Sequence, residues 1–284
     1  MSACAFIRPS MLVTAGRCLQ QVYYFYILGL KLPPGVATSY GTALHKTLLE
    51  VDQKSRIESG TYRPLGELKE AFSGDFQSRL ALCPDTDPEI EQYGGKKATN
   101  QAYERYGFGA IDKYNENREI LAGRGVEVPF EIPFAGTTLK GTIDLEVSDN
   151  QIKDIKTKDL TRKSSRRATP KDVVASRQFS AYAAAKARMS GVEEQHVSGV
   201  YVYKAATPEI QEIPSIRGSE SHEEIEAVAG ALKRAIEADA FVPVDKSSQN
   251  GWCCSEKYCG AWKAFGRSDG FAGCPYGERA QVRV

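Results

Sequence analysis

What most restricts this chain is a change of hydrophobic period at Gly125. Before it, apolar residues recur at helical spacing: Leu12, Val13, Leu19, Val22, Tyr23 and Phe25 predict a helix from Ser10 to Leu30, stopped by Pro33 and Pro34. Further helices are expected from about Ser39 to Gln53, Leu65 to Leu82 and Thr99 to Leu121, with the Pro-, Asp- and Gly-rich stretch from Cys83 to Gly95 as a loop. Beyond Gly125, Val126, Val128 and Phe130 alternate, then Leu139, Gly141, Ile143, Leu145 and Val147, then Ile152 to Thr157, which is the period of an antiparallel meander. A helix from about Pro170 to Met189, strands near Val197 to Tyr203 and Ile210 to Ile216, and a helix from Ser221 to Ala238 complete the order. Helices, three strands, helix, two strands and helix make an α/β or α+β chain.

The middle of the meander carries chemistry. Strands GTIDLEV (141–147) and QIKDIKT (151–157) are joined by the turn-forming residues Ser148, Asp149 and Asn150. With a three-residue loop Val147 faces Gln151, and counting back in antiparallel register sets Asp144 opposite Asp154. Opposed residues point to one face with Cβ atoms about 4.5–5.5 Å apart, and Lys156, two positions on, shares that face. Like charges so placed destabilise a sheet, and the simplest compensation is a divalent cation that takes hard oxygen ligands, Mg²⁺ or Mn²⁺. Such an ion lowers the pKa of a bound water and stabilises charge on a phosphoryl oxygen, with a lysine to orient that water or offset developing charge. That is the chemistry of phosphodiester hydrolysis. The residues alone equally allow a solvated hairpin whose lysines neutralise the carboxylates, and a loop one residue longer or shorter breaks the register. Glu131, on the preceding strand, is a further candidate carboxylate.

Composition narrows the classes around this hairpin. Lys and Arg number 37 against 36 Asp and Glu, and 42% of residues are hydrophobic with 26% charged, which is globular usage and not that of a disordered chain. The longest uncharged apolar run, Val22 to Leu30, has nine residues, where a membrane span needs about 20. Arg8 and Pro9 interrupt the first apolar stretch, so no signal peptide is expected and the setting reads as cytoplasmic. Seven cysteines are too few for a disulfide scaffold, yet Cys253, Cys254, Cys259 and Cys274 crowd into the last 32 residues, as a ligand set would.

From Gln151 to Lys171 eight basic residues stand against Asp154 and Asp159. The Ser- and Thr-rich run carrying Lys158, Arg162, Lys163, Arg166 and Arg167 reads as a flexible cationic loop, either contacting DNA phosphates without reading sequence or simply solvated. The aromatic run Tyr23, Tyr24, Phe25 and Tyr26 stacks on bases or packs a core. No Gly-x-x-x-x-Gly-Lys-Ser/Thr loop occurs, so a helicase motor would belong to another chain.

A strand Asp followed on the next strand by Asp-x-Lys, here Asp144 and then Asp154, Ile155 and Lys156, resembles the PD-(D/E)XK nuclease signature. Three further features resemble its RecB-like branch, which includes nuclease domains of bacterial recombination enzymes, CRISPR-associated exonucleases and many phage exonucleases. GTALH (41–45) is similar to the branch's Gly-x-x-x-His helix. His45 shares a stripe with Leu48 and Leu49 and faces inward, as a core histidine also would, and the resemblance makes it a metal ligand. Gln178 and Tyr182, four apart on one helix face, resemble the branch's Gln-x-x-x-Tyr motif, which positions the catalytic lysine or the scissile phosphate. Cys18 with Cys254, Cys259 and Cys274 resembles its four-cysteine iron-sulfur site, although the spacing departs from the usual one and Cys253 is an alternative to Cys254. Four thiolates also suit zinc, and unliganded buried thiols remain open.

The resemblance implies a restriction-endonuclease-like mixed central sheet flanked by helices, with a helical N-terminal half and a cysteine-rich tail. One domain would span 1–284, mainly helical over 10–122, with the nuclease core at 126–240 and the tail at 250–276 packing with Cys18. It implies a DNA exonuclease in which His45, Asp144, Asp154 and the backbone carbonyl of Ile155 hold Mg²⁺ or Mn²⁺, Lys156 assists attack, and Gln178 and Tyr182 orient phosphate or lysine. A 4Fe-4S cluster, or structural Zn²⁺, would tie the chain ends. The implied partners are DNA ends or single strands and a separate helicase or recombinase, in recombination, repair or phage DNA processing. A structure-specific endonuclease and a non-catalytic DNA-binding or assembly protein that keeps the fold are the competing readings.

Overall fold

The structure is a computed structural model that describes residues 6–29 and 33–241, so Cys253, Cys254, Cys259 and Cys274 lie outside the described residues. The described residues divide into two compact units, one drawn from 6–29, 131–141 and 220–241 and the other from 33–130 and 142–219.

In the first unit, α1 (Pro9–Ala15) and α2 (Leu19–Val22) replace the single helix expected from Ser10 to Leu30. The break follows Gly16, which caps α1, and Cys18, which is extended at φ −164°; glycine is a poor helix interior residue. From α2 the chain runs on through a wider turn, Tyr23–Ile27, in which Tyr23 packs against Phe241. Strands β1 (Gly125–Phe134) and β2 (Thr137–Ser148) meet here in a two-residue turn, Ala135 and Gly136, at φ 51° and 71°. Left-handed φ at both turn positions matches the twist of a tight hairpin. Ile7 adds a parallel bridge to this tip, its N–H 2.7 Å from the Thr138 carbonyl. Helix α10 (Ser219–Glu237) is the last described element, and its Glu226 accepts from the Ala135 N–H.

The second unit holds α3 (Val36–Lys46), which continues through a wide turn, Thr47–Gln53, into α4 (Lys54–Ser59), then α5 (Leu65–Ala81), α6 (Pro88–Tyr93) and α7 (Lys96–Glu116). Helix α6 lies where a loop is expected. Asp87 caps it by accepting from Glu89 N–H at 2.9 Å, and Pro88 opens it, the residue types that start helices. Leu68, Phe72, Phe76 and Leu80, spaced by four, form the stripe of α5 that packs with Tyr40, Tyr103 and Tyr114 against Leu145, Ile155, Val200 and Val202 of the sheet. Phe72 and Phe76 are fully buried, each worth about 1.5–3 kcal/mol of transfer free energy.

The sheet is five-stranded in the order β1-β2-β3-β4-β5, with β3 (Gln151–Asp159), β4 (Gln195–Lys204) and β5 (Glu209–Arg217) following the hairpin. β2 and β3 are antiparallel, β3 and β4 parallel, and β4 and β5 antiparallel. This mixed sheet flanked by helices is the architecture expected from the sequence. The parallel step needs a crossover, supplied by α8 (Pro170–Val174) and α9 (Arg177–Ser190). They replace one expected helix, because Ser176 leaves helical geometry and its side chain caps α9 by accepting from Phe179 N–H.

Candidate active site

Register decides which side chains meet. Leu145 pairs with Lys153 and Glu146 with Ile152, as counted from the sequence. The loop differs: Ser148 pairs with Gln151, leaving a two-residue turn, and an irregularity between Glu146 and Ser148 absorbs the extra residue. A bulge thus restores the register that a shorter loop would have shifted. One step past Leu145 the ladder stops, and the Ile155 N–H donates instead to Asp144 Oδ2 at 2.9 Å.

His45 reaches this point because Gly41, one turn earlier on α3, lets the helix approach β3. A Cβ on Gly41 would lie 2.6 Å from Thr157 Oγ1. His45 Nε2 is 3.1 Å from Asp144 Oδ2, and its Nδ1 is 3.6 Å from Glu127 Oε1. Ligand atoms of His45, Glu127 and Asp144 all lie within 4.8 Å of one another. One ligand atom from each of the three thus lies near enough to the others for them to share an ion. Two carboxylates and an imidazole suit a divalent metal in charge and donor type.

Glu127 is the residue that sequence reasoning missed. Strict alternation along β1 makes Glu127 and Glu131 equivalent, but Glu127 sits at φ 51°, a left-handed conformation costing roughly 1–2 kcal/mol for a non-glycine residue. That local reversal re-aims the strand. Glu131 stays exposed and pairs with Lys140 at 2.9 Å. No sequence signal marked Glu127, since a single positive φ leaves no compositional trace.

Asp154 stands beside the trio and outside it. It is 2% exposed, and Lys156 Nζ lies 2.8 Å from its Oδ2 and 3.1 Å from its Oδ1. Burial, and then the charge of Asp144, push the Asp154 carboxyl well above the usual range. Burial also raises Glu127. Burial opposes protonation of His45, but its hydrogen bond to Asp144 and the charges of Asp144, Glu127 and Asp154 outweigh it, so His45 is raised. Lys156 is likewise raised, the carboxylates of Asp154 and Asp144 overcoming its desolvation. Four groups thus hold protons more firmly than usual, because burial and neighbouring carboxylates both favour the protonated forms here.

Gln178 and Tyr182 on α9 form a pair, Gln178 Nε2 donating to Tyr182 Oη at 2.8 Å. Tyr182 packs edge-on against Phe130, and burial with the nearby charges of Asp154 and Asp144 raises its phenol. The Ile155 backbone meets the site through its N–H; no described contact involves its carbonyl and the trio.

The cationic run is tied down more than its composition predicts. Arg162 pairs with Glu89, Arg166 donates twice to Asp172 at 2.7 Å, and Arg167 pairs with Glu209 at 2.6 Å. Ala168 N–H donates to Tyr203 Oη. Acids brought in from α6, α8 and β5 therefore anchor a segment expected to be flexible. Lys158 and Lys163 make no ion pair among the described residues. Cys18 is buried at 5% exposure as a free thiol, and its expected partners lie outside the described residues.

A helix-borne histidine beside sheet carboxylates, next to an Asp-x-Lys strand, is a donor set that could hold a divalent cation. The family model of the PD-(D/E)XK nuclease superfamily matches residues 8–263, and the chain belongs to that superfamily. Membership carries divalent-metal nuclease chemistry on DNA. Among solved structures, the protein named "Putative exonuclease" from Eubacterium rectale is 15% identical with a TM-score of 0.52, covering 85% of each chain. SSO0001 is 17% identical at a TM-score of 0.32, over 78% of this chain and 93% of its own. The first likeness shows the fold. No curated protein matches in sequence. Among the described residues no helix is long and apolar enough to cross a membrane.

Proposed function

We propose that this chain is a metal-dependent DNA exonuclease acting on ends or single strands. The observation that carries the reading is the His45, Glu127 and Asp144 trio set against the Asp154–Lys156 pair. His45, Glu127 and Asp144, with Asp154 beside them, would hold Mg²⁺ or Mn²⁺, which would supply Lewis-acid chemistry and a more acidic water. His45 offers Nε2 as a ligand in its neutral form. Lys156, kept cationic by two acids, offsets charge that develops on the phosphoryl group. Gln178 and Tyr182, locked to each other, orient the lysine or the phosphate.

Exonuclease action agrees with the name of the Eubacterium rectale neighbour and with the branch motifs His45, Gln178 and Tyr182. A four-cysteine cluster of Cys18, Cys254, Cys259 and Cys274, with Cys253 as the alternative to Cys254, rests on sequence alone. So do a separate helicase or recombinase as partner and a place in recombination, repair or phage DNA processing. The test is end-labelled DNA with Mg²⁺: the wild type degrades it and Asp154→Ala does not. Degradation unchanged in Asp154→Ala removes the catalytic assignment, and cutting of closed circular DNA replaces the exonuclease by an endonuclease.

A further inference from the structure

One charged cluster beside the trio has no role in the reading above. Its centre is Glu146, two residues beyond Asp144 on β2 and therefore on the same face of the sheet. Its Oε2 lies 3.0 Å from Nζ of Lys186, and its Oε1 accepts from Arg124 Nε at 2.6 Å. The Glu146 carbonyl also accepts from the Arg124 N–H at 2.7 Å. Glu146 thus joins three parts of the chain that carry site residues: β2 with Asp144, α9 with Gln178 and Tyr182, and the entry to β1, where Arg124 stands three residues before Glu127.

Lys186 continues the stripe of α9 that holds Gln178 and Tyr182, since the three are spaced by four. It is 3% exposed. A buried ion pair is often no more stabilising than apolar side chains of similar size, so its distinctive contribution is a fixed geometry between helix and sheet. At the other end of the cluster, Gly123 lets the chain close on β2: a Cβ there would lie 2.7 Å from the Glu146 carbonyl oxygen and 2.6 Å from Leu145 Cδ1. Arg56 of α4 donates to the Gly123 carbonyl, and Arg124 reaches Asp149 as well.

Glu127 needs such restraints. Its left-handed backbone, at φ 51°, is one that a non-glycine residue keeps only where the surroundings hold it. The contacts at Gly123 and Arg124 act four and three positions before it.

We infer that Glu146, clamped between Lys186 and Arg124, is a positioning residue that sets Glu127 in place against His45 and Asp144. The inference rests on the metal-site reading and takes Glu127 as a ligand from it.

The sign of the effect on metal binding separates geometry from charge. Removing a nearby cation strengthens the pull of the acids on a divalent ion, whereas loosening Glu127 weakens it. Mn²⁺ affinity is measured by calorimetry on the full chain, with Tm recorded for each variant. Arg124 is half-exposed, and exposed ion pairs add little stability. Arg124→Met therefore leaves Tm nearly unchanged and weakens Mn²⁺ binding about tenfold. In a Glu127→Gln background the same substitution adds no further loss. Lys186→Met/Glu146→Leu removes both charges of the buried pair, so Tm is largely kept while Mn²⁺ binding falls about as far as in Arg124→Met. Wild-type or tighter Mn²⁺ binding by Arg124→Met, or an undiminished loss in the Glu127→Gln background, overturns the inference. So does a double variant that binds Mn²⁺ like the wild type, since the pair would then serve stability alone. Should the double variant not fold, Arg124→Met decides. A wild type that binds no Mn²⁺ removes the metal site and the clamp's role together. A wild type that binds Mn²⁺ with this pattern of losses and degrades no DNA removes the nuclease reading alone.

Discussion

Gly41→Ala probes why glycine stands one turn before His45. The added methyl would lie 2.6 Å from Thr157 Oγ1 and 3.7 and 3.8 Å from its Cβ and Cγ2, where ordinary contact begins at 3.4 Å. Either the hydroxyl turns away or α3 withdraws from β3 by the difference of 0.8 Å. Alanine is favoured over glycine inside a helix by about 1 kcal/mol, and overpacking costs about 1–3 kcal/mol, so the variant folds with at most about 2 kcal/mol lost. Activity is far more sensitive. His45 Nε2 stands 3.1 Å from Asp144, and a displacement near 1 Å at such a group costs on the order of 100-fold in rate. The expected result is a fall of about 10- to 100-fold in Mg²⁺-dependent degradation of end-labelled DNA, with weaker Mn²⁺ binding by calorimetry. Thr157→Ala removes Oγ1 and Cγ2 and leaves the nearest Thr157 atom at 3.7 Å. Gly41→Ala/Thr157→Ala therefore recovers most of the activity of Thr157→Ala alone in a double-mutant cycle. A double variant as impaired as Gly41→Ala, or a fully active Gly41→Ala, refutes the close-approach argument.

The remaining predictions concern charge and ligands. In EDTA, the raised pKa values of Asp154, His45 and Glu127 mean that folding favours their protonated forms. The stability they add is complete at acid pH and is lost as pH rises, through about 7 for Asp154. Thermal unfolding in EDTA should thus fall in Tm between about pH 5.5 and pH 8 while the gain from Mg²⁺ grows; a flat or rising Tm contradicts the electrostatics. Glu127→Gln keeps the shape and removes a ligand charge, lowering Mn²⁺ affinity by at least about 10- to 100-fold, whereas Glu131→Gln, exposed and paired with Lys140, leaves it unchanged. Equal affinities would move the metal away from Glu127. Anaerobically purified protein should show visible iron-sulfur absorbance that Cys18→Ser loses; a colourless, zinc-containing protein would replace the cluster by zinc and leave the nuclease site untouched.

Much of the fold was legible because periodicity is local. The strands from 125 to 159 follow from alternation, while the β2/β3 register matches the residue count only because the irregularity between Glu146 and Ser148 makes up for a turn one residue shorter than expected. Helix ends were less legible: Gly16, Ser176 and the Asp87–Pro88 start of α6 are caps that apolar spacing overrode. At the candidate site, His45, Asp144, Asp154, Lys156, Gln178 and Tyr182 were named from motifs, and the structure sets His45 against Asp144 and Lys156 against Asp154.

The sequence by itself determined the order of helical and extended stretches, though not every helix boundary, and a set of residue types able to hold a cation, all properties of neighbours along the chain. Only the tertiary structure decided that Glu127 comes within reach of His45. It alone paired Arg162 with Glu89 and Arg167 with Glu209, 73 and 42 positions away. Which charge stays free for a ligand is settled by distance in space, and separation along the chain carries no record of it.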